Sequence, residues 1–417
     1  MSLAHQEIVA GPARPDDNPT PDELVARARA MRDRIRELQG VHAQLGTYSE
    51  EIHNAFTEAR LYDILRPRMF GGLELGLETF FRVVTEIARA DPAVGWSFEL
   101  GASHPYQFSS YFPERAQREV YENTYPFVSA SRAFALQSTV ELVDGGYKLS
   151  GRWDYNSGCT WSSHFMPVAP VIQPDGSVVN MMFIVPREAF TILDDWGFGR
   201  TTGLHASSSN SITMADVFVP DYCAVPFDFK DRQWGETGSN GYQLHKNPLY
   251  LGRSLTVFIA GLAVTQIGAA WAALDEYEYL LKTKATSFPP RVPRTESAEF
   301  QLWYGKIMSL TESADTLLRG TLRDFEAANV AWTKGGPEFT SPDDARLRGR
   351  IVQAAIMAGE AIDLAVTTAG TSSSGMIGTK LEKYSRDAAM YRTHIGAQFD
   401  VLLASGARFN LGQPLTM

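Results

Sequence analysis

The hydrophobic repeat of this chain changes its period twice, and this change limits the possible folds more than any other feature. Up to about residue 126, apolar side chains recur at helical spacing. From residue 127 to about 235 the apolar segments are short, alternating and β-branched, and the helical period then returns. The pattern predicts a loose N-terminal arm over 1–20, a helical domain over 21–126, a β domain over 127–235 and a helical domain over 236–417.

The first helical domain has a clear start signal. Thr20 and Glu23 have the spacing of a capping box, with Pro21 at the first helical position. The next apolar positions share one face of an amphipathic helix: Leu24, Ala28, Met31, Ile35 and Leu38. Further helices are expected from Ser49, over about 77–89 and 93–104, and after Pro113.

The middle domain predicts short strands joined by tight turns. The strand-like segments are 139–143, 147–153, 165–172, 178–185 and 211–219. Asp144-Gly145-Gly146 and Pro174-Asp175-Gly176 have the composition of hairpin turns.

Four long helices are predicted in the last domain, at about 250–284, 295–332, 342–370 and 382–405. The linkers are rich in Pro (Phe288-Pro289-Pro290) or Gly (Gly335-Gly336-Pro337). Successive long helices of this kind predict an up-down four-helix bundle.

Composition and charge narrow the class of function. The net charge is −10 and the pI is near 5.4, which argues against nucleic acid as a partner because phosphate binding needs a basic face. The two cysteines, Cys159 and Cys223, are too few for a disulfide framework or a multi-cysteine metal site, and the histidines lack ligand spacing. We therefore expect no metal.

The sequence shows no targeting signal, which predicts a cytoplasmic location. The first 21 residues contain no apolar core of a signal peptide. The sequence also shows no run of 18 apolar residues, so we expect no membrane span. The low cysteine content agrees with a reducing cytoplasm.

Three segments carry a resemblance to a known fold. Arg66–Glu74 resembles a "P-x-x-x-G-G" segment, Arg89–Trp96 a "D-x-x-x-G-W" helix start, and Gly145–Trp153 a "G-G-Y-x-L-x-G-x-W" strand. Together with the domain order, they resemble the acyl-CoA dehydrogenase fold over nearly the whole chain after residue 20. The resemblance implies a mainly α protein with an N-terminal helical domain, a middle β-barrel or sandwich, and a C-terminal four-helix bundle.

Two departures from the dehydrogenases favour another branch of this fold. The "Y-E-G-T" segment that holds the dehydrogenase glutamate here reads Tyr391–Gly396, without a glutamate. The "R-x-x-F-G" segment that holds the FAD diphosphate is replaced by Lys282–Phe288. The chain instead resembles the oxygenase components of two-component flavin-dependent monooxygenases such as p-hydroxyphenylacetate hydroxylase, with steroid-ring and dibenzothiophene oxygenases as more distant relatives.

This resemblance implies roles for three residues. Asn156–Cys159 resembles an "S-S-G-C" segment whose second serine lies by flavin N(5), which maps to Ser157, and Gly158 would let the backbone approach the ring. His394 falls where these hydroxylases place a histidine, on the last bundle helix, to accept a phenolic proton or bond the distal peroxide oxygen. The alternatives are an ordinary β-turn at Ser157 and a structural histidine packed against Arg392 or Asp400.

Substrate contacts are expected from two further places. Ser131 aligns with a serine that faces the substrate and would donate to its hydroxyl, although a polar strand end is an equally good interpretation. The substrate histidine of the relatives aligns with Pro105, and His104 stands one residue earlier. Either the segment is shifted by one residue or the contact is missing.

The remaining candidates concern the cofactor. Trp196 would stack on the flavin ring. Ser207, Ser208 and Ser209 would bond the flavin phosphate or ring edge, or else form a flexible loop. Arg200 and His205 are candidate phosphate partners, and Ser373 would contact the cofactor of a neighbouring subunit unless 371–375 is a plain helix connection.

The predicted activity follows from the resemblance. Reduced FMN or FAD from a separate flavin reductase would react with O2 to a C(4a)-hydroperoxyflavin, which hydroxylates a small phenolic aromatic. A homotetramer is expected. The alternatives are an N- or S-oxygenase on the same scaffold, acting on an amino sugar or a thiophene, an acyl-CoA dehydrogenase-type flavoenzyme, and a non-catalytic binding relative.

Overall fold

The chain folds as a helical domain, a β domain and a helical bundle, in the predicted order. The computed structural model describes residues 14–130, 137–228 and 237–414. This order of domains is the one expected from the resemblance to the acyl-CoA dehydrogenase fold.

The first domain contains eight helices among the described residues. They are α1 Pro21–Ala30, α2 Arg32–Glu37, α3 Gln39–Leu45, α4 Glu50–Glu58, α5 Leu77–Ala90, α6 Pro92–Ala102, α7 His104–Tyr111 and α8 Glu114–Asn123. The capping box at Thr20 forms as predicted, because Thr20 and Glu23 exchange side-chain and backbone hydrogen bonds.

The predicted apolar face over 24–38 is buried, but its helix is not continuous. Leu24, Ala28 and Ile35 are fully buried. At Met31 the backbone N–H bonds to the carbonyl of Ala28, only three residues back, which tightens the turn and separates α1 from α2. The single amphipathic helix expected there is therefore corrected to short segments that bend around the core.

Within its described residues, the β domain contains three small sheets. The strands are β1 Ser129–Ala130, β2 Gln137–Val143, β3 Gly146–Trp153, β4 His164–Phe165, β5 Val168–Ile172, β6 Val178–Phe183, β7 Val185–Pro186, β8 Thr191–Ile192, β9 Ile212–Pro220 and β10 Ala224–Pro226. Their orders are β1-β4-β7, β10-β6-β5 and β2-β3-β9-β8. The hairpin turn before β3 has Gly145 at φ +72°, a conformation that favours glycine.

Two predicted strands are each divided between sheets. The segment predicted over 165–172 becomes β4 and β5, because Pro167 lies between them and has no N–H for the ladder. The segment predicted over 178–185 divides at Ile184, whose N–H bonds to the carbonyl of Cys223 instead.

The last domain contains the predicted long helices. They are α10 Leu255–Thr283, α11 Ala298–Thr333, α12 Ser341–Ala369, α14 Lys380–Arg392 and α15 Phe399–Asn410, with the short α9 Asn240–His245 and α13 Thr371–Ser374. The helix expected over 382–405 is wrong as one element. It is interrupted by a connection that contains His394 and Gly396.

Small residues let α10 pack closely on the first domain. A Cβ at Gly268 would lie 2.3 Å from the Cβ of Ala88, and a Cβ at Gly95 would lie 2.5 Å from it. Three helices, α5, α6 and α10, therefore meet at one close crossing, which holds α6 against the bundle.

Two helices, Leu255–Thr283 and Ser341–Ala369, are long and apolar enough to cross a membrane by length and composition. Polar residues interrupt both helices, so neither contains the unbroken run of 18 apolar residues on which the sequence prediction rested. The apolar window of α10 is 89% buried inside the protein, so packing in the core accounts for its composition.

Candidate active site

Trp96 connects the two residues that the sequence singled out most strongly. Its indole N–H donates a hydrogen bond to Oγ of Ser157 at 2.9 Å. Its ring also lies edge-on to the imidazole of His394, with centroids 5.3 Å apart. Trp96 and Ser157 are buried and His394 is half-buried, so α6, the loop after β3 and the connection after α14 converge on one largely buried place.

Ser157 is the first of three linked hydroxyl groups. Its Oγ lies 2.7 Å from Oγ of Ser209, which lies 2.7 Å from Oγ of Ser207. All three serines are buried. The Ser157 oxygen accepts a hydrogen bond from Trp96. When Ser209 also donates to this oxygen, the hydroxyl proton of Ser157 remains available to another acceptor. The serine segment is therefore a packed hydrogen-bonding element, and the alternative of a flexible loop is wrong.

Ser208 points away from this hydroxyl chain. Its Oγ accepts from the backbone N–H of Thr160 at 2.9 Å, and its own N–H donates to the carbonyl of Gly46. Its φ is +53°. The three serines, which the sequence treated alike, thus divide into two that reach Ser157 and one that fastens the turn at Cys159-Thr160.

Close packing against α6 requires a glycine at position 158, whereas the sequence analysis expected the glycine to admit the flavin ring. A Cβ at this position would lie 2.8 Å from the carbonyl oxygen of Ser97 and 3.1 Å from the backbone N of Gly101. The side of the glycine that lacks a side chain therefore faces α6. Its φ of +75° also favours glycine. The approach of this backbone to a cofactor remains a prediction.

His394 is not on the last helix, which corrects the sequence expectation. It precedes a short turn over Ile395–Ala397 and accepts a hydrogen bond at Nδ1 from the N–H of Gly396, at 3.0 Å. A ring nitrogen that accepts from a backbone N–H carries the lone pair, so the neutral ring carries its proton on Nε2. His394 therefore presents a donor.

The surroundings of His394 are aromatic. The ring of Phe258 lies 6.5 Å from it on the side of α10. Burial lowers the pKa of His394 to about 4, so the ring is neutral at physiological pH. Arg392, one of its suggested structural partners, pairs with Asp363 instead, at 2.8 Å.

Tyr391 adds a polar group that the sequence reasoning missed. Its ring lies 6.1 Å from that of Trp96. Its hydroxyl is buried and has no hydrogen-bond partner among the residues that the structure describes. A buried hydroxyl without a partner is costly, and a bound ligand with acceptor atoms would satisfy it. The aromatic rings and the donor groups of Ser157, His394 and Tyr391 fit the flat face and polar edge of a flavin.

His104, rather than Pro105, reaches a cavity. His104 is buried at the start of α7 and, together with Glu99 and Phe258, lines a small cavity between α6, α7 and α10; Pro105 is absent from the described lining. Nδ1 of His104 bonds to the carbonyl of Leu100. A carbonyl only accepts, so the neutral ring has its lone pair on Nε2, the reverse of His394.

Glu99 is a second residue that sequence reasoning missed. It is fully buried on α6, one turn after Trp96, and its Oε2 has no hydrogen-bond partner in the described part of the chain. Burial raises the pKa of Glu99 to about 8, against a smaller lowering by the hydroxyl of Ser103. The available signal was that Glu99 is the single charged residue in the stretch 92–102.

The predicted cofactor residues around Trp196 lie in the β domain. The Trp196 indole N–H donates to the carbonyl of Leu204 at 3.0 Å, and its ring packs edge-on to the exposed ring of Tyr155. Arg200 is paired with Asp194 at 2.7 Å, and His205 bonds to the carbonyl of Thr201. Both candidate phosphate partners therefore already have protein partners.

The other two candidates are separate from this cluster. Ser373 is buried, and its Oγ accepts from Nζ of Lys284 at 2.7 Å. Ser131 lies outside the described residues. No group of three or more metal-ligating side chains occurs within 14–130, 137–228 and 237–414.

A larger cavity lies elsewhere, between α4, α8 and the β domain. Its volume is 960 Å³, and its lining includes His53, Trp161 and His164. The rings of His53 and Trp161 stack with centroids 4.6 Å apart. None of the predicted site residues lines this cavity.

Comparison with known proteins agrees with this architecture. Residues 260–399 match the model of the family "Acyl-CoA dehydrogenase, C-terminal domain". The chain is 27% identical over 400 residues to a pigment production hydroxylase of Rhodococcus sp. (strain ATCC 21145), covering 95% of this chain and 97% of that protein. It is 27% identical to the oxygenase subunit HsaA of a flavin-dependent monooxygenase of Rhodococcus jostii (strain RHA1), covering 89% and 92%.

A solved structure extends the comparison to the fold. XiaF from Streptomyces sp., in complex with FADH2 and glycerol, superposes with a TM-score of 0.85 at 21% identity, covering 95% of this chain and 97% of that one. The chain is thus similar in sequence, over most of its length, to oxygenase components of flavin-dependent monooxygenases and hydroxylases, and it has the fold of solved monooxygenases, with a last domain that matches the acyl-CoA dehydrogenases.

Proposed function

We propose that this protein is the oxygenase component of a two-component monooxygenase that uses reduced FMN or FAD and O2 to hydroxylate a small phenolic aromatic. The observation that carries the proposal is the contact of Trp96 with both Ser157 and His394. It joins a hydroxyl and an imidazole N–H, which lie 237 residues apart in sequence, at one aromatic and largely buried place.

Reduced flavin, when bound, supplies the electrons with which O2 is activated. The protein must then hold the flavin edge and exclude water. The hydroxyl of Ser157, oriented by Trp96 and Ser209, would donate to the N(5) side of the ring. Tyr391 would donate to a flavin or substrate acceptor, which satisfies its buried hydroxyl.

The two histidines have complementary tautomers for a phenolic substrate. Nε2 of His104 carries the lone pair and would accept the proton of the phenol. Nε2 of His394 carries a proton and would donate to an oxygen atom of the substrate or of activated dioxygen. The sequence analysis left open whether His394 accepts the phenolic proton or bonds the distal peroxide oxygen, and its hydrogen bond with Gly396 favours the second role.

The proposed contacts of the flavin outside the Trp96 cluster rest on the side-chain chemistry at two separate positions. Trp196, with the exposed ring of Tyr155, offers an aromatic surface for a flavin ring. Ser373 and Lys284 together offer a hydroxyl and a cation, which suit a flavin phosphate from a neighbouring subunit of the expected homotetramer. A flavin reductase as partner and a cytoplasmic location complete the proposal.

An acyl-CoA dehydrogenase-type reaction is less well supported. It needs a carboxylate base, and the carboxyl group identified at this site is Glu99. Glu99 lies in the small cavity beside α7, and Tyr391–Gly396, the segment where the dehydrogenases carry this glutamate, has none. An N- or S-oxygenase would share the flavin chemistry, and a substrate panel separates it from a phenol hydroxylase.

Rapid mixing tests the proposal. Anaerobically reduced FMN or FAD is bound to the protein, mixed with oxygenated buffer, and followed by absorbance, with product analysis for a panel of phenols, amines and thiophenes. We expect flavin reoxidation to be slowed at least tenfold relative to free flavin, and this delay to be lost in Ser157→Ala but kept in Ser177→Ala, an exposed turn serine. Reoxidation as fast as that of free flavin, with either cofactor, would refute the proposal.

A further inference from the structure

Glu99 stands out as a buried acidic group that the proposed reaction does not use. Its Oε2 has no hydrogen-bond partner among the described residues. The carboxyl group has a hydrogen bond with the hydroxyl of Ser103, but its buried Oε2 is desolvated without compensation, so selection for stability alone favours an apolar residue here. The carboxyl group therefore points to a function that requires it.

The opposing helix is built to admit this carboxyl group. A Cβ at Gly261, on α10, would lie 2.0 Å from Oε1 of Glu99. Any other residue at position 261 would collide with this carboxyl group and force the side chain of Glu99 to move. The glycine on α10 and the acid on α6 thus fit each other across the interface of the two helices.

The position of Glu99 relates it to the proposed site. Trp96 and Glu99 are three residues apart on α6 and share one face of the helix. Phe258 contacts the ring of His394 and also lines the cavity that contains Glu99. The carboxyl therefore lies one helical turn from the place where the aromatic ring of a substrate would meet Trp96 and His394.

The cavity itself limits what Glu99 can bind. Its volume is 20 Å³, which accommodates about one water molecule. A single hydroxyl or amino group of a substrate has the same size and replaces such a water. The titratable groups of the described lining are Glu99, His104 and Tyr106, and none of them is a fixed cation that would bind a carboxylate.

We propose that Glu99 is a substrate-positioning residue that hydrogen-bonds a small hydroxyl or amino substituent, so that this enzyme prefers aromatic substrates with such a group and rejects those with a carboxylate there. The inference rests on the proposed function. A protonated carboxyl donates one hydrogen bond and accepts another, which matches the two roles of a hydroxyl or amino group. Its pKa, raised by burial to about 8, agrees with this state at neutral pH.

Binding of four matched ligands tests the inference. Phenol, resorcinol, 3-aminophenol and 3-hydroxybenzoate differ in one substituent, and their dissociation constants are measured anaerobically with the full chain and reduced flavin. We expect the wild type to bind resorcinol or 3-aminophenol about tenfold more tightly than phenol, and 3-hydroxybenzoate more weakly than phenol. Tighter binding of resorcinol indicates a hydroxyl substituent, and tighter binding of 3-aminophenol indicates an amino substituent.

Two variants and a control separate the role of Glu99 from a structural effect. Glu99→Leu should reduce the preference over phenol to less than about twofold, whereas Glu99→Gln, which still donates and accepts, should keep it within about threefold of the wild type. Glu86→Gln, at a buried glutamate that pairs with Arg29, should leave the preference unchanged. An undiminished preference in Glu99→Leu, an equal loss in Glu86→Gln, or a wild type that does not distinguish the ligands would overturn the inference.

The flavin measurement distinguishes failure of this inference from failure of the proposed function. If the wild type slows flavin reoxidation but Glu99→Leu keeps the ligand preference, only the role of Glu99 is refuted. If the wild type does not slow reoxidation, the monooxygenase proposal fails as well.

Discussion

The indole N–H of Trp96 donates to the hydroxyl oxygen of Ser157 at 2.9 Å, and this bond joins the first helical domain to the β domain inside the proposed active site. Ser157 is thereby held in one orientation before any ligand binds. Because the same indole lies against His394, a change at Trp96 affects both polar groups.

Trp96→Phe should preserve the aromatic packing and remove the hydrogen bond to Ser157. We expect the delay in flavin reoxidation to fall at least tenfold and the free energy of unfolding to fall by about 1 kcal/mol. Stopped-flow absorbance and urea unfolding measure the two effects. Trp332→Phe, at a half-buried position on α11, serves as the control, and an equal loss of the delay there would contradict the role of Trp96.

The serine chain should behave as a unit. Ser157→Ala and Ser209→Ala should each shorten the delay in reoxidation, and the double variant should lose less than the sum of the two free-energy effects, because the hydroxyls are in direct contact. Ser208→Ala should instead lower the free energy of unfolding by about 1–2 kcal/mol, since it leaves the N–H of Thr160 without its acceptor. Strict additivity of the first pair would argue against a linked chain.

His394 should act as a neutral donor across the physiological range. Its pKa of about 4 means that the hydroxylation rate should not change between about pH 5.5 and 8 through titration of this ring. His394→Gln, whose amide retains an N–H donor, should keep more of the hydroxylation yield per flavin oxidised than His394→Ala. A pH profile with a step near 6.5 that disappears in His394→Gln would contradict the assignment.

Glu99 should make the protein less stable at higher pH. Because the pKa is about 8 in the folded protein and about 4.5 in the unfolded chain, the folded state binds more protons between these values, and stability falls as pH rises through them. The loss above pH 8 amounts to as much as about 5 kcal/mol. The difference in unfolding free energy between the wild type and Glu99→Gln, measured from pH 5 to 9, isolates this contribution, and a difference that does not vary with pH would refute it.

Lys383 should be essential for the junction between α14 and α6. Its Nζ bonds to Asp91 and Asp387, both at 2.7 Å, and Asp387 also accepts from the N–H of Leu204, ahead of the serine chain. Lys383→Met leaves two buried carboxylates without their cation, and we expect a loss of about 3–5 kcal/mol in unfolding free energy. Lys380→Met, at a more exposed lysine paired with Glu276, should cost less than about 1 kcal/mol.

Local features of the sequence were sufficient for the outline of the fold. The change of hydrophobic period separated the three domains, and the capping box at Thr20 and the turn at Gly145 formed as predicted, because both depend on residues that are neighbours along the chain. The sequence did not predict the helix interruptions that depend on tertiary packing. The last predicted helix ends at Arg392, where the chain turns so that His394 meets Trp96 and Gly396 fits against Leu262.

At the candidate site, too, local segments were predictable and long-range contacts were not. Ser157 and His394 were identifiable as members of short segments with a recognisable pattern. Their connection was not, because it depends on Trp96, which lies 61 residues before one and 298 residues before the other. The sequence also treated Ser207, Ser208 and Ser209 as equivalent, although the backbone turn at Ser208 directs its side chain to Thr160.

By itself, the sequence determined the domain order, most helices and strands, and the chemical types present at the site, because these follow from periodicity and local bonding. Only the tertiary structure decided which groups meet, which ring nitrogen of His394 and His104 carries the proton, and that Glu99 is buried opposite Gly261. Those properties arise from contacts between helices that are distant in the chain, where burial and a single neighbouring backbone group set the state of each side chain.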